Sequence, residues 1–213
     1  MALDIKICGL STPEAVITAV EGGAAYVGFV FFPPSPRAVT PKMMSPLAAP
    51  VPDYVTRVGL FVDADFDDIE AAVATGALDM LQLHGHETPG TVAKIKARFG
   101  LPVMKAVAIS GDDDIVLARE YEITADKLLF DAKPPKGATR PGGNALTFDW
   151  RLIAKQDWVL PWMLAGGIDV SNLAQAVNTS GATAVDVSSG VEDAPGIKNP
   201  DKIKELLTLA AAL

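Results

Sequence analysis

Few side chains in this sequence both carry chemistry and end a strand-like run: Cys8, His84, Asp131 and Asp186. Cys8 is the only cysteine. Gly9 follows it, so backbone or ligand can approach closely. A thiolate is a competent base, and a free cysteine titrates at about 8.5, lower beside positive charge. Lys6, two residues back on the same strand face, is a source of that charge. A lone cysteine is equally often a small buried apolar residue, and position alone leaves both roles open. Asp131 follows Leu128-Leu129-Phe130. It can cap a helix or organise a loop, or act as a general acid where its surroundings keep it protonated. A base and an acid on opposite sides of one mouth suit an aldose–ketose isomerisation. One group takes a proton beside a masked carbonyl, and the other delivers a proton to oxygen.

Two glycine-rich stretches point to an anion. Ala165-Gly166-Gly167-Ile168 and Ser188-Ser189-Gly190-Val191 follow the last two strand-like runs. In an eight-stranded α/β barrel these loops are the usual phosphate site, where free backbone N–H groups hold the anion. One Gly-Gly pair alone can be a turn; two such loops in these places are more specific. Arg37, in Pro33-Pro34-Ser35-Pro36-Arg37, is either a solvated loop arginine or a fork for a substrate carboxylate. His86 reads as an exposed loop residue. The two histidines have no third ligand to make a metal site, and no zinc, Walker or dinucleotide fingerprint is present.

The elements that must position these groups alternate along the chain. Strands are expected over 4–8, 26–32, 56–62, 79–84, 102–107, 127–131, within 158–165 and over 183–187. Helices are expected over 12–20, 41–49, 66–75, 89–99, 113–121, 148–156, 170–179 and 200–213. Thr12-Pro13-Glu14 is a helix start, and Gly22, Gly76, Gly100 and Gly181 are stops. Eight βα units imply a parallel sheet with right-handed crossovers, closed into a single-domain (β/α)₈ barrel over 1–213. An open doubly wound sheet is the alternative. Lys6, Cys8, Gln82, His84, Asp186 and Ser188 share one strand parity and should face the barrel interior. Ile5, Ile7, Leu81, Leu83, Val185 and Val187 should pack under the helices. Lys6, Arg57, Gln82 and Asp186 can equally form a satisfied polar network inside the barrel. The 133–147 segment, rich in Gly and Pro, has the length of a lid.

Composition fits this reading. The chain has 213 residues, 49% hydrophobic and 21% charged, enough for one substantial core. With 18 basic and 26 acidic residues its net charge is −8, which disfavours nucleic-acid binding. No signal peptide and no apolar run near ~20 residues is present, so no membrane role is expected and a cytoplasmic location is. Monomer and homodimer are both open.

These segments together resemble the phosphoribosylanthranilate isomerase family of tryptophan biosynthesis. The matching stretches are Lys6-Ile7-Cys8-Gly9, Gly28-Phe29-Val30-Phe31 with Ser35 and Arg37, Val58-Gly59-Leu60-Phe61-Val62, Gln82-Leu83-His84-Gly85, Leu129-Phe130-Asp131, Thr147-Phe148-Asp149-Trp150, Ala165-Gly166-Gly167 and 186–192. The resemblance implies an Amadori rearrangement of a phosphosugar-anthranilate substrate with no cofactor and no metal. It implies Cys8 as general base, Asp131 as general acid and Arg37 on the anthranilate carboxylate. It implies a phosphate on backbone groups around Gly166, Gly167, Ser188, Ser189 and Gly190, with His84 and Asp186 lining the site. One departure from the family is Asn144-Ala145-Leu146 after Gly142-Gly143, which bears on lid closure. The related isomerase of the histidine pathway would carry an aspartate at Cys8 and two half-barrel repeats. A metal-dependent pentose-phosphate epimerase would need spaced His and Asp ligands. A non-catalytic phosphosugar-binding barrel should have lost the acid or the base.

Overall fold

The computed structural model describes residues 3–134, 137, 142–143 and 146–213. Eight parallel strands close into a barrel in sequence order. They are β1 (Asp4–Cys8), β2 (Tyr26–Val30), β3 (Thr56–Phe61), β4 (Met80–Leu83), β5 (Val103–Ile109), β6 (Lys127–Ala132), β7 (Trp162–Leu164) and β8 (Ala184–Val187). Closure is through β1 and β8, with Lys6 in register with Asp186 and Ile7 with Val187. Helices α1 (Pro13–Glu21), α2 (Pro41–Ala48), α3 (Phe66–Val73), α4 (Pro89–Phe99), α5 (Asp112–Arg119), α6 (Arg151–Ala154), α7 (Leu173–Ser180) and α8 (Pro200–Ala210) alternate with the strands. None of these is long and apolar enough to cross a membrane.

Local chemistry sets the helix ends. The Thr12 hydroxyl accepts from Ala15 N at 3.3 Å, and Pro13 supplies the first turn of α1. Thr88 and Pro89 repeat this for α4, which stops at Gly100 with φ +67°. Two expected helices are shorter than their apolar pattern. The run 148–156 forms only α6, because Asp149 Oδ1 accepts from Arg151 N and holds the preceding residues in a turn. The run 170–179 begins only at Leu173, because Asp169 and Asn172 bond each other's loop. Strand β2 ends at Val30 rather than residue 32, and β5 extends to Ile109. Sequence reasoning missed a 3₁₀ turn (Ser189–Val191) and a small hairpin, β9 (Glu192–Ala194) with β10 (Ile197–Lys198).

The strand parity divides the core in two. Ile5, Ile7, Leu81, Leu83, Val185 and Val187 pack beneath the helices in the main core. Inside the barrel, Met104, Ala106, Leu129, Met163 and Ala184 fill the lower layers with Tyr26 and Met80 against them. Lys6 and Gln82 are both fully buried. Arg57 is a correction to the interior network. Its neighbours Val58 and Leu60 take the other parity, and its guanidinium makes two 2.7 Å bonds to Asp79, partly exposed.

Candidate active site

The strand ends open into one pocket. It is lined by Cys8, Arg37, His84, Asp131, Gly166, Gly167, Asp186, Ser188 and Ser189, so nine of the residues singled out in the sequence share it. Gly190 is not among the lining residues. Its Cα packs against the Ile168 carbonyl, where any Cβ would collide. Sequence reasoning missed the apolar wall of Val30, Phe32, Leu60, Val62 and Ile168. Leu60 and Val62 share the inward parity of their strand, and that signal could have found them.

Cys8 ends β1 beside Gly28, its register partner on β2. A Cβ on Gly28 would lie 3.0 Å from Cys8 Sγ and 3.1 Å from Lys6 Nζ, so the glycine makes room for both. Lys6 Nζ donates to Asp186 Oδ1 at 2.9 Å. Burial works against the Lys6 charge, but Asp186 and Cys8 outweigh it and hold the ammonium above its ordinary range. Lys6 lowers the thiol as expected, but other effects outweigh it. Burial pushes the Cys8 thiol up, Lys6 offsets this only in part, and Asp186 adds to the rise.

Asp131 sits across the mouth, on β6. Its Oδ1 accepts from Ala132 N at 2.7 Å. Its Oδ2 lies 3.2 Å from His84 Nε2, and His84 Nδ1 lies 2.9 Å from Gln82 Nε2. Gly142 and Gly143 cover this corner. A Cβ on Gly142 would come within 2.7 Å of Asp131 Oδ2, and one on Gly143 within 2.7 Å of Arg37 Nη1. The lid departure at Asn144 and Ala145 lies outside the described residues.

Arg37 is not a solvated loop residue. It is buried, and Nε and Nη2 make 2.7 Å bonds to the two oxygens of Glu192. Lys198 Nζ donates to Glu192 Oε1 at 2.8 Å and to the Ser188 carbonyl at 2.8 Å. Burial alone would raise the Glu192 carboxyl, but Arg37 and Lys198 outweigh it and hold it below the usual range. The guanidinium is thus aimed by Glu192, with Nη1 on the side of Gly143 and the pocket. Neither Glu192 nor Lys198 stood out in the sequence, because their meeting depends on the β9–β10 hairpin.

The far side of the pocket is an amide cradle. Gly166 and Gly167 have φ of +92° and +59°, backbone that favours glycine. The amides of Gly167 and Ser189 donate to no acceptor among the described residues. Ser188 Oγ donates to the Cys8 carbonyl at 3.1 Å and ties the cradle to β1. Among the described residues no three His, Cys, Asp or Glu side chains gather as a metal-holding group.

Fold and site together place the chain in the class of (β/α)₈-barrel isomerases. Residues 5–208 match the family described as N-(5'phosphoribosyl)anthranilate (PRA) isomerase, and the chain belongs to that family. The N-(5'-phosphoribosyl)anthranilate isomerase of Paramagnetospirillum magneticum is 54% identical over 210 residues, covering 99% of this chain and 98% of its own. That of Rhodospirillum centenum is 53% identical, covering 100% of both. The phosphoribosyl anthranilate isomerase structure from Thermotoga maritima aligns with a TM-score of 0.88 at 36% identity, covering 99% of this chain and 100% of that one. A phosphoribosyl anthranilate isomerase in complex with reduced 1-(o-carboxyphenylamino)-1-deoxyribulose 5-phosphate aligns at 0.85 and 34%, with the same coverage.

Proposed function

We propose that this chain converts N-(5-phosphoribosyl)anthranilate to 1-(2-carboxyphenylamino)-1-deoxyribulose 5-phosphate, the Amadori step of tryptophan biosynthesis. The observation that carries this reading is that Cys8 and Asp131 face one pocket whose other walls are an amide cradle and an aimed guanidinium. Asp131 gives its proton to the ribose ring oxygen as the C1–O bond breaks, and a Schiff base forms at C1. Cys8, acting as the thiolate left once its own proton has gone to solvent, then takes the C2 proton, and the enolamine relaxes to the ketone. Lys6 beside Sγ stabilises the thiolate once it forms. The cradle at Gly167 and Ser189 holds the phosphate, and Arg37 holds the anthranilate carboxylate. The aromatic ring rests on Val30, Phe32 and Leu60.

The test is a direct assay that follows loss of the fluorescent substrate by the purified protein with and without chelator. Turnover unaffected by EDTA is the expected result. Activity abolished by EDTA and restored by a divalent ion would overturn the metal-free mechanism, and no turnover at all would overturn the reading. Arg37→Ala should raise KM by about 10- to 100-fold, the worth of hydrogen bonds to a charged group. Its kcat should change far less. A loss confined to kcat would argue against the carboxylate anchor.

A further inference from the structure

The structure treats His84 with unusual care. Gln82, fully buried inside the barrel, places its amide nitrogen 2.9 Å from His84 Nδ1. An amide nitrogen only donates, so Nδ1 accepts and the ring proton sits on Nε2. Nε2–H then faces Asp131 Oδ2 at 3.2 Å, while Ala132 N–H holds Oδ1 at 2.7 Å. The main chain is held as well. The buried Lys105 ammonium donates to the carbonyls of Leu83 and Gly85, on either side of His84, at 3.2 and 2.7 Å. Glu87 anchors that lysine at 2.8 Å and accepts from Gly85 N.

Gln82 Oε1 is buried and accepts from nothing among the described residues. Buried side-chain polar atoms ordinarily have a partner. The imidazole of His84 is thus the one side-chain partner of this buried amide among the described residues.

We propose that Gln82 is a positioning residue for Asp131: its amide fixes His84 as the neutral Nε2–H tautomer, which donates to the carboxyl. This rests on Asp131 being the acid that protonates the ring oxygen. As Asp131 gives up that proton it becomes a carboxylate, and donors already aimed at both its oxygens stabilise the charge as it develops. With the other tautomer, a bare Nε2 lone pair would face the new charge.

Nitrogen-15 NMR of the full-length protein reads the tautomer directly. The chain has two histidines, and His86→Gln removes the exposed one to leave His84 alone. Near neutral pH, Nε2 should carry the proton and Nδ1 should have the shift of a bare ring nitrogen. A protonated Nδ1 with a bare Nε2 overturns the proposal, whatever Asp131 does. Gln82→Met should let the Nδ1–H form appear and lower kcat about 10-fold, the worth of one charge-assisted hydrogen bond, with KM unchanged. Gln82→Glu keeps the shape but replaces the donor by an acceptor, so its kcat should fall at least as far. Full activity in Gln82→Glu, or equal losses in kcat and affinity, would mean a packing role only. If neither variant folds, the spectrum of the His86→Gln protein still decides. Near-full turnover in Asp131→Asn, with the Nε2–H form intact, would instead remove the acid on which the tautomer acts.

Discussion

Cys8→Ala should lower kcat by about four orders of magnitude with KM little changed, the upper end for a positioned acid–base group. The pocket offers few other proton acceptors. Asp186 is engaged by Lys6, and His84 is held between Gln82 and Asp131. None of these can take over at C2 without breaking a buried contact. Cys8→Ser should be nearly as inactive, since a hydroxyl is a far weaker acid than a thiol. Near-full turnover in Cys8→Ala would remove the base assignment. The raised thiol has its own signature. In the free protein, alkylation of this single cysteine should keep accelerating with pH beyond about 8.5, where an ordinary thiol levels off. Levelling below that value would show that Lys6 outweighs burial after all.

Asp131→Asn should cost a similar factor in kcat, about 10⁴-fold. Asparagine can keep the bond from Ala132 N and the shape of the side chain, so the loss isolates the missing proton. Without it the ribose ring oxygen would have to leave as an unstabilised alkoxide, so the furanose stays closed. Acid and base act on successive bonds of one substrate, so the double variant should be only slightly worse than either single one. Losses that multiply in full would argue that the two groups act together in one rate-limiting transition state.

The eight strands could be read from the chain because each is a short apolar run bounded by Gly, Pro or a capping residue. Parity told which side chains enter the barrel, and it carried Lys6, Gln82, His84 and Asp186 to their observed places. Parity also shows where the reading slipped. Arg57 was grouped with the interior set although its odd position on β3 faces outward. What the chain does not display is the partner of a charge. Lys105 lies on the outer face of β5 and is buried because Glu87 arrives from the loop after β4. Glu192 finds Arg37 across 155 residues. Strands of two or three residues, such as β9 and β10, are too short to show a period, and the hairpin that aims the arginine was therefore missed. Burial, which raises the Cys8 thiol despite Lys6, is likewise a property of the closed barrel rather than of neighbours in sequence.

The bonds from Arg37 to Glu192, from Lys6 to Asp186 and from Ser188 to the Cys8 carbonyl all join the first fifth of the chain to its last. During synthesis Cys8 emerges well before Asp186, Ser188 and Glu192, the groups that set its surroundings and those of Arg37. A ribosome-bound chain that has not released β8 and the hairpin has neither cradle nor aimed guanidinium. The pocket is therefore complete only when the barrel closes, and chains truncated before β8 should show no turnover rather than a reduced one in the fluorescence assay.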